Sequence, residues 1–125
     1  MKEPKFRGFS KETNSWYYGH GWFEIDYTDE YLKEKGINQQ SMLHTESCPV
    51  ECELASMGQF TGFKDDNSVE IYEGDYLKTE HGQLGVVYWS HGCYYVKWDE
   101  DNYISYLSDC YYDSKVIGNM FEITR

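Results

Sequence analysis

The stretch Gln59–Lys78, QFTGFKDDNSVEIYEGDYLK, decides the fold of this chain. Its glycines, acidic residues and aromatic residues stand where an extended chain must turn twice. The first turn is the polar segment 64–68, and the second is Glu73-Gly74-Asp75. The stretch therefore predicts a β-hairpin that leads into a further strand, and the residues that we expect to shape it are Gly62, Glu73, Gly74 and Asp75.

The same stretch resembles the signature of the YopX family of phage and prophage proteins, which reads roughly QYTGLKDKNGKEIYEGDIV. The opening segment 6–16, FRGFSKETNSW, is similar to the family pattern FRAWDKETKKM, although Phe9 and Ser10 replace its Trp and Asp. The segment 117–122, IGNMFE, resembles the closing pattern IIGNIYENP and adds Gly118 and Asn119 to the structural motif. The resemblance extends over the whole chain and implies a phage or prophage setting. It implies no catalytic residue and no cofactor.

The composition favours β-structure in a single compact unit. The chain has 125 residues and contains 13 Tyr, 4 Trp and 6 Phe. Aromatic rings of this kind fit half-buried pleated surfaces. Strand and turn signals alternate closely from Leu54 onward, as in small barrels and sandwiches. We therefore expect a mainly β fold with one or two short helices, in which an N-terminal hairpin region (1–53) precedes a small SH3-like β-barrel (54–125).

Local patterns place the elements of the N-terminal region. Residues 6–18 predict a hairpin, and the alternation of Phe23, Ile25 and Tyr27 with acidic residues predicts a half-buried strand. Thr28 is a candidate cap for a short helix that ends at Gly36. Residues 37–53 show no clean period, which indicates a variable insertion. In the C-terminal region the predicted strands are 57–63, 70–72, 76–79, 85–89, 94–98, 103–107 and 116–123.

The net charge is strongly negative and unevenly distributed. The formal charge is −11, with 6 basic and 8 acidic residues in 1–47 but 5 basic and 14 acidic residues in 48–125. An acidic surface repels phosphate backbones and attracts basic partners. Duplex nucleic acid is therefore an unfavourable target. No apolar run is long enough to span a bilayer, so we expect a cytoplasmic protein in a bacterial host.

The four cysteines raise the question of a metal site. In a cytoplasmic setting we expect Cys48, Cys52, Cys93 and Cys110 to be free thiols. His44, Cys48 and Cys52 would share one face if their segment were helical, and His91, Cys93 or Cys110 could add a fourth zinc ligand. Pro49 disfavours that helix and no C-x-x-C pair exists, so loop cysteines are the preferred interpretation.

Other clusters with possible chemistry are better explained as turns. Residues 99–102, DEDN, could offer oxygens to calcium but lack the glycine and distal glutamate of an EF-hand loop. Glu73 and Asp75 are the only acids whose position the surrounding signals fix, and we expect them to accept backbone N–H bonds in their turn. No catalytic constellation or phosphate-binding loop is found. We therefore expect no enzyme activity, no cofactor and no metal, with a small metalloprotein or hydrolase as an alternative.

The surplus of aromatic residues indicates a binding surface. Alternation along 94–98 puts Tyr94, Val96 and Trp98 on a buried face and leaves Tyr95 outside, together with either Tyr88 or Trp89. Exposed rings of this density are typical of a protein interface or of a platform for nucleobases. The acidic neighbours favour the first, namely an acidic module that self-associates as a homo-oligomer and binds a basic protein partner; nucleic-acid binding is the alternative. The predicted partner-binding residues are Tyr88, Trp89, Tyr95, Asp99, Glu100 and Asp101.

Overall fold

The computed structural model describes residues 4–124, apart from the side chains of Asp101, Ile123 and Thr124. The strands are β1 Phe6–Ser10, β2 Ser15–Gly19, β3 Gly21–Glu24, β4 Gln40–His44, β5 Val50–Glu53, β6 Gly58–Lys64, β7 Glu70–Tyr72, β8 Asp75–Thr79, β9 Leu84–Ser90, β10 Cys93–Trp98, β11 Ile104–Tyr106 and β12 Ser114–Asn119. The helices are α1 Asp29–Lys35 and α2 Met120–Thr124. Short 3-10 helices lie at Leu54–Ser56, Glu100–Asn102, Leu107–Asp109 and Tyr111–Asp113. The predicted mainly β class with short helices and a curled, barrel-like sheet is confirmed.

The chain divides into two compact units, Met1–Gln59 and Phe60–Arg125. The boundary expected from the sequence, between residues 53 and 54, lies six residues earlier. Strand β6 spans the division, since Gln59 pairs with Phe6 of β1 and Phe60 pairs with Tyr72 of β7.

The first unit is built on antiparallel hairpins. Strands β1 and β2 form the predicted N-terminal hairpin, and β3, β4 and β5 form a three-stranded sheet in that order. The predicted strand 23–27 ends earlier than expected, because β3 stops at Glu24. The Tyr27 ring instead stacks on Tyr31 of α1 at 4.6 Å, and the Tyr27 hydroxyl donates to Glu51. These contacts hold Tyr27 beside α1, and we infer that they favour this position over an extension of β3 to Tyr27.

Helix α1 begins and ends where the sequence predicted. The Thr28 hydroxyl accepts a hydrogen bond from the Tyr31 amide at 3.1 Å, and Gly36 closes the helix at φ +66°. Acidic residues in the first turn and lysines in the last turn complement the helix dipole. Leu32 is the one residue of this helix that is buried.

Residues 37–53 form the hairpin of β4 and β5, which the sequence did not predict. Polar residues face the interior here and obscure the alternation. Gln40 and Glu53 are both buried and hydrogen-bonded to each other through Nε2 and Oε2. The buried Ser41 hydroxyl donates to the Cys52 carbonyl at 3.3 Å. Because the polar side chains satisfy one another, the strands can bury them without an apolar period.

The second unit contains a five-stranded antiparallel sheet in the order β11-β10-β9-β8-β12. Its inner face packs around a core whose buried members are Ile71, Leu77, Val87, Val96, Trp98 and Leu107. Gly85 allows this packing, because a Cβ there would lie 2.6 Å from both Trp98 and Val96. The predicted assignment of Val96 and Trp98 to the buried face is thus correct, and Tyr94 packs against the same core.

The turn at 64–68 is held by one buried carboxylate. Asp65 accepts hydrogen bonds from the amides of Asn67 and Val69 through Oδ1, at 2.8 and 2.9 Å. Its Oδ2 accepts from the Val116 amide of β12 at 2.9 Å. Asp65 therefore closes its own turn and joins that turn to a strand 51 residues away.

The turn at Glu73-Gly74-Asp75 follows the same logic. Gly74 adopts φ +90°, which favours glycine, and its amide donates to the Val87 carbonyl. Asp75 is buried, and its Oδ2 accepts from the Tyr72 amide at 2.7 Å. Gly62, in the irregular part of β6, also has φ +90°. These three residues hold the structural positions that the sequence indicated.

The C-terminal segment differs from its predicted strand, 116–123. Strand β12 ends at Asn119, and α2 follows. The Asn119 side chain accepts from the Glu122 amide at 2.9 Å and donates to the Glu122 carboxylate at 2.5 Å. Asn119 thus caps the first turn of α2 through its side-chain oxygen, and a bond between the two side chains holds the cap in place. Gly118 lies at the bulge where β12 shifts its register on β8.

Candidate protein-interaction surface

Three tyrosines form a row across the outer face of the five-stranded sheet. Tyr88 of β9 lies opposite Tyr95 of β10, which lies opposite Tyr106 of β11. Residues directly opposite each other in an antiparallel sheet share a face. We call these residues the tyrosine row. Tyr106 is 50% exposed, while Tyr88 and Tyr95 are half-buried by their neighbours.

The rings of the tyrosine row stack on one another. Their centroids lie 5.7 Å apart for Tyr88 and Tyr95 and 5.1 Å apart for Tyr95 and Tyr106, with interplanar angles of 24° and 29°. The faces between adjacent rings are therefore occupied. Burial among the neighbouring rings, together with the Tyr106 hydroxyl, raises the pKa of Tyr95. The row accordingly offers ring edges and hydroxyl groups to a ligand.

The strand positions around the row are apolar or basic. Tyr76, Val86, Lys97 and Ile104 lie in the adjacent row of paired positions. Lys78 and Lys115 lie opposite each other one row further. Four acidic residues follow strands of this sheet in the chain, at Glu80, Asp99, Glu100 and Asp109. The strand positions of the outer face thus combine aromatic and aliphatic side chains with three lysines, and the acids lie beyond the strand ends.

The predicted partner-binding residues do not all lie on this face. Tyr88 and Tyr95 are neighbours in the tyrosine row. Trp89 belongs to the opposite face, where its ring meets Tyr94 edge-on at 4.7 Å, although it is 51% exposed. Asp99 and Glu100 are exposed at the far end of β10, and the Asp101 side chain lies outside the described residues. Tyr106, which completes the row, was not among the predicted residues.

Hairpin register finds two members of the tyrosine row from the sequence but not Tyr106. Ser90-His91-Gly92-Cys93 predicts a tight turn, which pairs Tyr88 with Tyr95. The pairing of β11 is not fixed in this way, because a short 3-10 helix separates it from β10. Sequence alternation alone therefore leaves the partner of Tyr95 on that side undetermined.

The residues considered for a metal site lie on a hairpin and not on a helix. His44 ends β4, Cys48 lies in the connecting loop, and Cys52 is buried in β5. A spacing of four therefore does not put them on one face. Among the described residues, no group of three or more His, Cys, Asp and Glu side chains is arranged to hold a metal ion.

The four cysteines are free and differ sharply in environment. Cys48 and Cys93 are exposed, whereas Cys52 is buried and Cys110 is half-buried. Burial, with the Glu51 carboxylate nearby, raises the pKa of Cys52 to about 11. Burial also raises the pKa of Cys110.

We expect thiol labelling to separate these cysteines into two classes. At pH 8, Cys48 and Cys93 should react with a disulfide reagent at the rate of an exposed thiol, because both are accessible to the reagent. The reactive form of a cysteine is its thiolate. Cys52 should react at least about a hundredfold more slowly, since its thiol is both inaccessible and mostly protonated. Mass spectrometry of time points identifies each site, and labelling of Cys52 as fast as Cys48 would contradict its buried position.

Of the two acids considered for acid-base chemistry, Asp75 accepts the expected backbone hydrogen bond, whereas the half-buried Glu73 side chain accepts none from the described residues. Asp75 is committed to its turn by the hydrogen bond from Tyr72. Ser90 Oγ and His91 Nδ1 lie 2.7 Å apart, but they are adjacent residues of an exposed hairpin turn. Without a third group that orients the imidazole, this pair does not form a triad.

Two surface grooves lie within single units. A groove of about 520 Å³ in the first unit is lined in part by Lys5, Tyr18, His20 and Glu46. Another, of about 350 Å³ in the second unit, is bordered by two lysines and three acids: Lys78, Lys115, Asp66, Glu80 and Asp113. Charges of both signs in one open groove indicate a solvated surface. Over the part of the chain that the structure describes, no helix is both long and apolar enough to cross a membrane.

The fold and the tyrosine row define a small antiparallel β protein with an aromatic sheet face. The chain belongs to the YopX family: the family model described as YopX protein matches residues 5–124. Among solved structures it is similar to the crystal structure of protein EF1440 from Enterococcus faecalis, with a TM-score of 0.51 and 19% sequence identity. That similarity covers 98% of this chain and 96% of the other, and it shows a shared fold. No curated protein matches the chain.

Proposed function

We propose that this chain is a non-enzymatic interaction module, of phage or prophage origin, which binds a protein partner of basic character through the tyrosine row. The observation that supports this function best is the stacked row of tyrosines on an outer sheet face. Tyrosine is enriched in protein interfaces, because it gives a large contact area and a hydroxyl group at a small cost in side-chain entropy. Stacking already restricts these rings, so binding would cost still less entropy.

Charge favours a basic partner. The formal charge of −11 gives the chain a negative field that attracts cationic surfaces and speeds their encounter. The acids beyond the ends of the sheet strands, at Glu80, Asp99, Glu100 and Asp109, would meet basic groups at the rim of the contact. Lys97, beside the tyrosine row, would meet an apolar or acidic side chain of the partner. Apolar contact in the centre with charged groups at the rim is the usual arrangement of a protein interface.

The same features argue against a nucleobase platform. Bases bind exposed aromatic side chains face to face, alongside a positively charged groove. In the tyrosine row, the faces between adjacent rings are occupied by their neighbours. Net negative charge also opposes the phosphate backbone. Fluorescence titration with single-stranded oligonucleotides at low salt checks this alternative, and saturable tyrosine or tryptophan quenching would support it.

Self-association remains a prediction with a separate test. Two copies of a chain with this charge repel each other, so a homo-oligomer would need contacts strong enough to overcome that repulsion. Light scattering coupled to size exclusion, at low and high salt, gives the mass directly. A dimer that dissociates when Tyr95 is replaced would mean that the row binds a second copy.

Replacing Tyr95 by serine tests the proposed function. Tyr95 stacks on both other rings, so its loss should disrupt the whole row and weaken partner binding by at least about tenfold. The matched control is Tyr112→Ser, since Tyr112 is 61% exposed and lies outside the row. Proteins captured from a lysate of the encoding bacterium are compared by mass spectrometry, and the enriched partner is then purified and titrated by calorimetry.

The two variants must differ for the proposal to stand. Tyr112→Ser should bind the partner as the unaltered chain does. Equal affinity of Tyr95→Ser and the unaltered chain for the same purified partner would overturn the role of the tyrosine row. Thermal unfolding of both variants controls for a loss of fold.

A further inference from the structure

We infer that the open edge of β11 accepts an extended segment of the partner protein as an additional strand, an inference that rests on the proposed function. The candidate surface is the outer edge of Ile104–Tyr106, at the end of the five-stranded sheet. An edge of this kind is a template for strand addition, because its backbone groups lack a neighbour.

The hydrogen-bond pattern shows which backbone groups are open. The Trp98 amide donates to the Tyr103 carbonyl at 2.8 Å, so these two residues form a hydrogen-bonded pair. From this pair onward, hydrogen-bonded and non-hydrogen-bonded pairs of β10 and β11 residues alternate. Val96 and Ser105 form the next bonded pair, while Ile104 and Tyr106 point their amides away from β10. Among residues 4–124, the Ile104 amide, the Ile104 carbonyl and the Tyr106 amide have no hydrogen-bond partner.

The side of β11 that faces β10 is firmly held. The Trp98 indole donates from Nε1 to the Ser105 hydroxyl at 2.9 Å. Leu107, the residue directly after β11, is fully buried in the core. The edge strand is therefore an ordered template, and a ligand strand need not order it first.

The other sheet edge differs. Strand β12 is contacted by the turn at 64–68, where the Asp66 amide donates to the Ser114 carbonyl and Asp65 accepts from the Val116 amide. That turn uses backbone groups that a new strand would need. The two edges of the sheet therefore differ in accessibility, and β11 is the open one.

The side chains around the edge define the chemistry of the segment. Ile104 and Tyr106 are 49% and 50% exposed on the outer face, next to Lys97 and Tyr95. A strand added at β11 would place one side chain beside Tyr106, extending the tyrosine row, and would favour an aromatic or β-branched residue there. The exposed acids Glu100 and Asp109 flank the two ends of β11. The fitting ligand is an extended segment with an apolar centre and basic ends.

A matched pair of substitutions at Tyr106 separates the backbone edge from the ring. Tyr106 has φ −70°, which proline can adopt, and its amide is open. Tyr106→Pro removes the ring and the amide donor, while Tyr106→Ala removes the ring alone. Proline should therefore weaken strand addition by about tenfold beyond alanine, the effect of one net hydrogen bond.

The probe is a peptide selected from a display library of short random sequences on the full-length protein. We expect enriched peptides to alternate apolar residues and to carry lysine or arginine at their ends. The dissociation constant of one such peptide is measured against the unaltered chain, Tyr106→Ala, Tyr106→Pro and Tyr95→Ser. A peptide of the same sequence whose backbone amides are methylated should bind at least about tenfold more weakly than the unmethylated peptide.

The outcomes distinguish this inference from the proposed function. Equal weakening by Tyr106→Ala and Tyr106→Pro, or no effect of backbone methylation, would overturn strand addition even if Tyr95→Ser still reduced binding. Loss with Tyr106→Pro but not with Tyr95→Ser would support the edge and contradict the tyrosine row. Failure to enrich any peptide would also overturn the inference. A dimer of the unaltered chain that becomes monomeric in Tyr106→Pro would overturn it as well, because the edge would then bind a second copy. If Tyr106→Pro does not fold, hydrogen exchange of the unaltered chain is measured with and without the peptide. Slower exchange of the Ile104 and Tyr106 amides in the presence of the peptide would support strand addition, and unchanged exchange would overturn it.

Discussion

Replacing Asp65 by alanine is expected to destabilise the second unit by about 3 kcal/mol. The buried carboxylate accepts three backbone hydrogen bonds, two within its turn and one from Val116 of β12. Alanine would leave those amides without their acceptor. Asparagine would supply only one acceptor oxygen and so should recover only part of the loss. Urea unfolding followed by tryptophan fluorescence gives the change in free energy.

The adjacent residue provides the control for Asp65. Asp66 is exposed, and its amide bond to Ser114 does not involve its side chain. Asp66→Ala makes the same change in charge one position away and should alter stability by less than about 0.5 kcal/mol. Equal destabilisation by both substitutions would mean that net charge matters and that the Asp65 hydrogen bonds do not.

Replacing Gly19 by alanine should destabilise the first unit by about 3 kcal/mol, at the upper end of overpacking effects. A Cβ at this position would lie 2.2 Å from the His44 carbonyl oxygen. That atom belongs to the backbone, and the same oxygen accepts a hydrogen bond from the His20 amide. The clash therefore cannot be relieved by rotating a side chain, and the β2 end must move. Thermal and urea unfolding measure the loss.

Gly21, two residues later, is a matched control for this substitution. It also lies in a strand of the first unit, and a Cβ there would meet nothing within 4 Å. Gly21→Ala should therefore leave stability within about 0.5 kcal/mol of the unaltered chain. If Gly21→Ala is as harmful as Gly19→Ala, the cause is glycine's backbone freedom at both sites, and close packing at Gly19 is not needed to explain it.

Sequence reasoning succeeded where a single local rule determines the structure. Thr28 and Gly36 bound α1 as expected, because capping and the left-handed end of a helix depend on residues close in sequence. The tight hairpin at His91 and Gly92 has positive φ at both positions, as its turn type requires. The alternation from Tyr94 to Trp98 likewise predicted the buried side of β10 correctly.

Sequence reasoning failed where buried polar groups form hydrogen bonds with each other or where two local signals compete. Buried Gln40 and Glu53 concealed the hairpin of β4 and β5, since their pairing cannot be read from alternation. In residues 116–123, apolar residues suggested a strand, but the Asn119 side chain caps a helix by accepting from the Glu122 amide and also bonds the Glu122 carboxylate. Rules of hydrophobic period give no weight to such pairs.

The members of the tyrosine row were predicted in part. The outward direction of Tyr95 and its pairing with Tyr88 follow from hairpin register and alternation. The third member, Tyr106, depends on how β11 returns to the sheet after a 3-10 helix, which is a tertiary property. Alternation left open whether Tyr88 or Trp89 faces outward with Tyr95, and the structure places Trp89 on the side of Val87 and Tyr94.

Hydroxyl-radical footprinting of the chain, alone and bound to the purified partner, tests most directly whether the tyrosine row is the binding surface. Oxidation of Tyr88, Tyr95 and Tyr106 should fall on binding, while oxidation of Tyr18 in the first unit and of Tyr112 should stay unchanged. Protection confined to residues 4–59, with the tyrosine row oxidised as in the free protein, would contradict the assignment of this sheet face as the interface.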